Sequence, residues 1–281
     1  MVNRPVLPVR IGMAQMRVDF SQPHANMTRA CEMISRAAAA KCNIVILPEA
    51  MDIGWPCVPS AGLAEPIPGP RCAVLAEAAK RHGMYVLSGV TELAGGNIYN
   101  AAVLFSPLGQ ILHVHRKINV LVDVEDVYAT GDRLGVVQTP FGTVGIDICA
   151  DSCNRIIPHA LCRMGANMIL SPSAWVVPPD YDNQKTPYGQ TWLDAYQEIS
   201  RLYGVAFVGV SNVGPVTYGA WNGWRCIGCS LGVGPDGAVL AQGPYGVTAE
   251  ELLCIEFQAR PAFARGTAWT EALKQKGYVG P

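Results

Sequence analysis

The chain carries the same succession of strands and helices twice, and that duplication limits it to a fold built from two similar halves. In the first half, Val9 to Gln15 reads as a buried strand. Pro23 opens a helical pattern in which Met27, Ala30, Cys31, Ile34 and Ala38 recur on one face. Asn43 to Pro48 is a short strand whose run Ile44-Val45-Ile46-Leu47 is apolar on both faces, as expected for a sheet covered on each side. Cys72, Leu75, Ala76 and Ala79 mark a second helix capped by Gly83, and Met84 to Thr91 is the third strand.

The second half repeats that order. Thr143 to Cys149 is a strand, and Ile157, Ala160, Leu161 and Met164 form a helix face closed by Gly165. Asn167 to Pro172 is a strand; Trp192, Ala195, Tyr196, Ile199 and Tyr203 form a helix face closed by Gly204; Val205 to Ser211 is a strand. The match extends to single residues. Asn43…Pro48-Glu49-Ala50 parallels Asn167…Pro172-Ser173-Ala174, and Glu77…Lys80…Gly83 parallels Glu198…Arg201…Gly204. Two copies are too few for a solenoid, so the expectation is an α/β fold with an internal pseudo-two-fold relation.

The remaining segments attach to this frame. Ile98 to Ser106 and Gln110 to Arg116 read as a hairpin turning over Pro107-Leu108-Gly109. Lys117 to Val136 is rich in turns, Gly223 to Leu240 reads as a hairpin over Pro235-Asp236-Gly237, and Leu252 to Phe257 is a last strand. Residues 1–258 are expected to form one domain. The polar tail, 259–281, keeps Trp269 and Tyr278, aromatics that suit packing on a neighbouring subunit of a homodimer or larger homo-oligomer. Trp55 to Pro70 is a long loop punctuated by Pro and Gly, and such loops tend to be functional.

Composition excludes several partners. A formal charge of −1 with no Lys/Arg stripe argues against nucleic acid. No apolar run approaches the ~18 residues of a membrane helix. The N-terminus lacks the layout of a signal peptide. A cytoplasmic protein is therefore expected, and its ten scattered cysteines are read as reduced thiols.

Chemistry points to the ends of the duplicated strands, where open α/β sheets present their reactive groups. Cys149 ends one such strand just before a helix, a position where a helix N-terminus can lower a thiol's pKa. The competing reading is a small buried hydrophobe, the usual state of a free cysteine. Glu49 follows an apolar strand and a proline; burial there should raise its pKa into the range of a general base, the alternative being a solvated loop glutamate. Arg116 and Lys117 end another strand and should face opposite ways, so one of them can face the same rim. A lysine there could stabilise an oxyanion or lower the thiol's pKa. Asp147 and Asp151 flank the cysteine and read as supports of its turn. Cys226-Ile-Gly-Cys229 lacks a second ligand pair and reads as core, and His113 with His115 lacks a third ligand, so no metal is expected. No histidine is placed to serve Cys149, which leaves a carboxylate as its base.

Leu47-Pro48-Glu49, then Arg116-Lys117 after a strand, then Ile148-Cys149-Ala150-Asp151, in that order, resemble the nitrilase superfamily of carbon–nitrogen hydrolases. Ser211-Asn212-Val213-Gly214 and Gly228-Cys229-Ser230 with Pro235-Asp236-Gly237 resemble its later signatures. The resemblance implies an α-β-β-α sandwich, a Glu49-Lys117-Cys149 triad, and a further structural or catalytic glutamate at Glu125. Asn119 stands where many members carry histidine, and Ala150 where many carry an aromatic. The Cys-x-Asp order is closer to the amidase-like branch.

The implied activity is hydrolysis of a small carboxamide to acid and ammonia through a thioester, without a cofactor. In that scheme Glu49 takes the thiol proton, and Lys117 and the Ala150 N–H hold the oxyanion. Trp55 and Trp175 are candidate pocket walls, and Tyr188 and Trp192 are further candidates. Hydrolysis of nitriles or N-carbamoyl compounds would use the same triad, and Arg155 could then meet a substrate carboxylate. A non-enzymatic scaffold binding a small acyl compound is the alternative outside catalysis.

Overall fold

Period-two alternation sets the layers. The computed structural model describes residues 7–56, 60–261 and 275. Its first half runs β1 (Pro8–Gln15), α1 (Pro23–Ala39), β2 (Ile44–Ile46), α2 (Ser60–Leu63), α3 (Pro70–His82), β3 (Tyr85–Ala94), β4 (Asn97–Phe105) and β5 (Ile111–Arg116). The second half runs β6 (Val136–Thr139), β7 (Gly142–Ile146), a 3₁₀ turn over Cys149–Cys153, α4 (Ile156–Arg163), β8 (Met168–Ser173), β9 (Val176–Val177), α5 (Gln190–Tyr203) and β10 (Ala206–Ser211). The chain ends with β11 (Val213–Pro215), β12 (Arg225–Ile227), β13 (Leu231–Val233), β14 (Val239–Gln242) and β15 (Glu251–Gln258).

Ile11, Met13, Ile44, Ile46 and Leu87 point inward and pack against residues of the second sheet such as Ile169 and Val208. Their neighbours Ala14, Val45 and Val86 point outward, beneath Met27, Ile34 and Leu75 of α1 and α3. Pro23 fixes the start of α1, and Gly83, at φ 61°, closes α3 in the left-handed region. α4 and α5 contribute Leu161, Tyr196, Ile199 and Tyr203 to the core on the second sheet. The order of layers is helix, sheet, sheet, helix. Burying each large apolar side chain of this kind contributes roughly 1.5–3 kcal/mol.

The duplication holds strand for strand. One sheet is ordered β15-β1-β2-β3-β4-β5 and the other β6-β7-β8-β10-β13-β14. In each, an antiparallel edge strand is followed by three parallel strands and two antiparallel ones. Equivalent hydrogen bonds repeat as well. Asn43 Oδ1 accepts the Arg10 N–H at 2.8 Å, and Asn167 Oδ1 accepts the Thr143 N–H at 2.9 Å. Gly204 closes α5 at φ 68° as Gly83 closes α3.

Three expectations change. The strand into Cys149 stops at Ile146, because the backbone turns at the cysteine. The last hairpin is only β13–β14; β12 leaves it to pair with β11 and β9 in a separate three-stranded sheet. The long loop after Trp55 contains α2. Trp269 and Tyr278, on which the packing of the tail was argued, lie outside the described residues. No helix among the described residues is long and apolar enough to cross a membrane.

Candidate active site

Gly89 of β3 positions Glu49. Its N–H donates to Pro48 O at 3.1 Å. A Cβ on Gly89 would fall 2.6 Å from Glu49 Cα, so only glycine lets the segment bearing the carboxylate lie against β3. The Glu49 N–H donates to Ser173 O at 3.2 Å, so the two positions equated by the duplication touch.

Arg116 and Lys117 divide as the alternation requires. Arg116 faces out, donating to both oxygens of Glu92 at 2.7 and 2.8 Å and lying 4.0 Å from the Tyr99 ring centroid. Lys117 turns inward and is only 1% exposed. Its Nζ donates to Glu49 Oε1 and to Glu125 Oε1, each at 2.8 Å. Asn100 Nδ2 spans the same two oxygens, at 2.7 and 3.3 Å. The indole N–H of Trp55 also donates to Glu125 Oε1, and the Leu121 N–H donates to its Oε2 at 2.8 Å. Glu49 Oε2 is left buried without a hydrogen-bond partner among the described residues.

Cys149 sits on the turn after β7 at φ 48°, a left-handed backbone that costs a non-glycine residue about 1–2 kcal/mol. The surrounding bonds hold it there. Its N–H donates to Ser171 Oγ at 3.1 Å. The Asp151 carboxylate accepts the N–H groups of Ile148 at 3.1 Å, Ile118 at 3.1 Å and Asn119 at 2.6 Å, and pairs with His115 Nε2 at 2.9 Å. Asn119 Nδ2 donates to Ala150 O at 2.7 Å. Asp147 accepts from Ser152 Oγ at 3.0 and 3.1 Å. Both aspartates therefore bind within or across the turn.

The charges explain the protonation states. Burial pushes the Glu49 carboxyl up to about 6, although Lys117 pulls it down. Burial by itself would lower the Lys117 ammonium, but Glu49, Glu125 and Cys149 outweigh it and hold it well above its ordinary value. The Cys149 thiol is raised, first by burial and then by Glu49, against the opposite pull of Lys117. Lys117 lowers this thiol as expected, but burial and the charge of Glu49 outweigh it. Burial and the neighbouring Glu49 thus favour the protonated sulfur.

Of the other residues singled out, Trp55 is buried against Glu125, and its ring centroid lies 5.5 Å from Lys117 Nζ. Trp175 follows Ala174, whose carbonyl oxygen lies 4.0 Å from Cys149 Sγ. Trp175 stacks on Trp192 at 4.9 Å and lies 6.5 Å from Tyr188, centroid to centroid. Burial, with Cys149 and Cys229 adding to it, raises the Tyr188 hydroxyl, which accepts the Trp192 indole N–H at 3.0 Å. These aromatics gather on the cysteine's side of the site. Arg155 does not join them: its side chain is largely exposed and pairs with Glu198 at 3.1 Å. Cys226 and Cys229 are free, buried thiols. Among the described residues no cluster of His, Cys, Asp or Glu could hold a metal ion.

Sequence reasoning missed Asn100 and the His115–Asp151 pair. Asn100 was visible only as a polar residue inside the apolar run of β4. Its role depends on β4 lying beside β5, where its carbonyl accepts the Lys117 N–H at 2.8 Å.

The chain matches the carbon-nitrogen hydrolase family over residues 10–260. Among curated relatives, the omega-amidase NIT2 of Mus musculus is 31% identical over 176 residues, which are 59% of this chain and 63% of the mouse protein. The match therefore spans less than two thirds of that relative. The Homo sapiens omega-amidase NIT2 is 28% identical over 243 residues, 83% of each chain. Among solved structures, a carbon-nitrogen hydrolase from Helicobacter pylori G27 superposes with a TM-score of 0.80 at 23% identity, covering 89% of each chain. An amidase from Nesterenkonia sp. gives 0.75 at 17% identity, covering 96% of each.

Proposed function

Because the chain belongs to the carbon-nitrogen hydrolase family, we propose that it is an amidase that converts a small carboxamide to the carboxylic acid and ammonia, with Cys149 as nucleophile. The observation that carries this reading is the joining of Glu49, Lys117 and Glu125 by one set of buried hydrogen bonds, whose charges act on the buried Cys149 thiol. The names of the mouse and human relatives support the choice of amide.

Glu49 Oε1 is occupied by Lys117 and Asn100, so the free Oε2 is the oxygen that receives the Cys149 proton. The sulfur then attacks the amide carbon, and the carbonyl electrons move onto oxygen. Lys117 Nζ and the Ala150 N–H stabilise that oxyanion; one such donor is typically worth about 10²–10³ in rate. On collapse the carbon–nitrogen bond breaks, and protonated Glu49 returns its proton to the departing ammonia. The thioester left on Cys149 is hydrolysed by a water that Glu49 deprotonates, and Glu49 then returns that proton to the departing sulfur. Glu125 keeps Lys117 aimed at the site and adds a second negative charge that keeps its ammonium protonated.

Residues 1–258 form the hydrolase unit in this reading, and the tail packs on a second copy in a homo-oligomer. Ammonia release from a panel of carboxamides, nitriles and N-carbamoyl compounds tests the proposal. Turnover confined to carboxamides supports it, and turnover of nitriles or N-carbamoyl compounds alone rejects it.

A further inference from the structure

A second pair of reactive groups lies on the opposite face of the first sheet from Cys149. Cys42 follows α1, and Cys254 belongs to β15; their sulfurs are 3.6 Å apart although 212 residues separate them in sequence. Gly12 of β1 lies opposite Cys254 and makes room for Cys42. A Cβ at Gly12 would meet Cys42 Sγ at 3.3 Å and Ala37 Cβ at 3.1 Å. Both thiols are free, Cys42 buried and Cys254 partly exposed. Beside them opens a surface cleft of about 540 Å³ lined by Arg10, Lys41, Asn43 and Glu256, which include the chain neighbours of Cys42. The Arg10 guanidinium is close enough to act electrostatically on both sulfurs.

We propose that Cys42 and Cys254 are an oxidation site at which hydrogen peroxide forms a disulfide, separately from any chemistry at Cys149. Cys254, the partly exposed member, gives its proton to solvent, and its sulfur attacks one peroxide oxygen. The oxygen–oxygen bond breaks, the departing hydroxide takes up a proton as water, and Cys254 becomes a sulfenic acid. Burial and the neighbouring Cys254 push Cys42 up to about 12, so it enters second, as the thiol. Its sulfur attacks the Cys254 sulfur, and its proton leaves with the hydroxyl as a second water. Two thiols and one peroxide give one disulfide and two waters. The sulfurs must close from 3.6 Å to about 2.0 Å, a shift that a rotation of each side chain can supply. The product ties the start of β2 to the closing strand β15, and so shuts a long loop of the unfolded chain.

The test uses the reduced full-length chain and, in parallel, its Cys149→Ala variant, which removes oxidation of that thiol from the readout. Each is treated with hydrogen peroxide, quenched, unfolded in iodoacetamide and peptide-mapped without reductant. The expected result in both is a linked pair of peptides holding Cys42 and Cys254, lighter by two hydrogens than their sum. It disappears with dithiothreitol and never forms in Cys254→Ser. The thermal midpoint of the oxidised chain rises by several degrees and falls back on reduction. Full alkylation of both cysteines after peroxide, or a link from either to another cysteine, overturns the proposal.

Discussion

The Asp151 carboxylate accepts the Asn119 N–H at 2.6 Å, which fastens the segment leaving Lys117 to the turn that carries Cys149. The same carboxylate holds the N–H groups of Ile118 and Ile148 and pairs with His115. Together with the bond from Asn119 Nδ2 to Ala150 O, this buried carboxylate ties the segment after Lys117 to the turn of Cys149.

Asp151→Asn tests that joint. The amide replaces one accepting oxygen by a donor facing either an N–H or the imidazole, in a fully buried site. Leaving such groups unpaired costs about 1–3 kcal/mol. The thermal midpoint should fall and kcat should drop at least tenfold with KM little changed, while Asp151→Glu should restore less than full rate. A kcat equal to that of the parent would show that the joint does not position the reacting groups.

Lys117→Ala leaves Glu49 and Glu125 buried side by side without the cation that joins them. Breaking a buried ion pair in this way costs about 3–5 kcal/mol. Denaturant titration should show that loss, and kcat/KM should fall by about 10² or more from the missing oxyanion donor. Retention of most of the rate in the folded fraction would remove Lys117 from the chemistry.

Trp55→Phe keeps an apolar ring but removes the indole N–H that Glu125 accepts. A hydrogen bond to a charged group contributes about 1.5–3 kcal/mol. The variant should fold with a modestly lower midpoint and lose roughly tenfold in kcat, through looser control of Lys117 by Glu125. If instead only KM rose, Trp55 would be a wall of the substrate pocket alone.

In the proposed mechanism the pH profile follows from Glu49, which must be ionised to take the thiol proton. With its carboxyl pushed up to about 6, kcat/KM should fall tenfold per pH unit below that value. Lys117 is held well above its ordinary value, so no alkaline limb from its deprotonation is expected near neutrality. Stability runs the other way. A carboxyl raised from 4.5 to about 6 favours the folded state fully below pH 4.5, and that contribution is lost as pH climbs through about 6. Relative to Glu49→Gln, the parent should gain midpoint as pH falls across this window while losing rate. A limb centred above pH 7.5 would contradict Glu49 as the base.

Much of this was legible in the sequence because the duplication and the apolar runs are local signals. Asn43 and Asn167, or Gly83 and Gly204, do the same work in each half, so their spacing survives as pattern. Glu49 and Cys149 stood out because each ends an apolar strand, and Arg116-Lys117 because the pair ends another, with the choice of Lys117 resting on the family resemblance. Asn100 and His115 did not, since one is a polar residue in a hairpin and the other one of two alternating histidines; only the pairing of β4 with β5 and the position of Asp151 give them partners. The thiol's pKa was misjudged because sequence shows the nearby cation but not the depth of burial, and burial dominates. Arg155 looked available until the packing of α5 supplied Glu198.

The central claim is that an amide acylates Cys149, a residue only 5% exposed and held at φ 48°. Its most direct test is the intact mass of the chain, quenched in acid during turnover of a carboxamide that it hydrolyses. The account predicts a gain equal to the acyl group less one hydrogen, mapped to Cys149, with ammonia release and adduct both absent in a Cys149→Ala variant of nearly unchanged thermal midpoint. Ammonia release that persists in that variant, with no adduct on the parent, would contradict it.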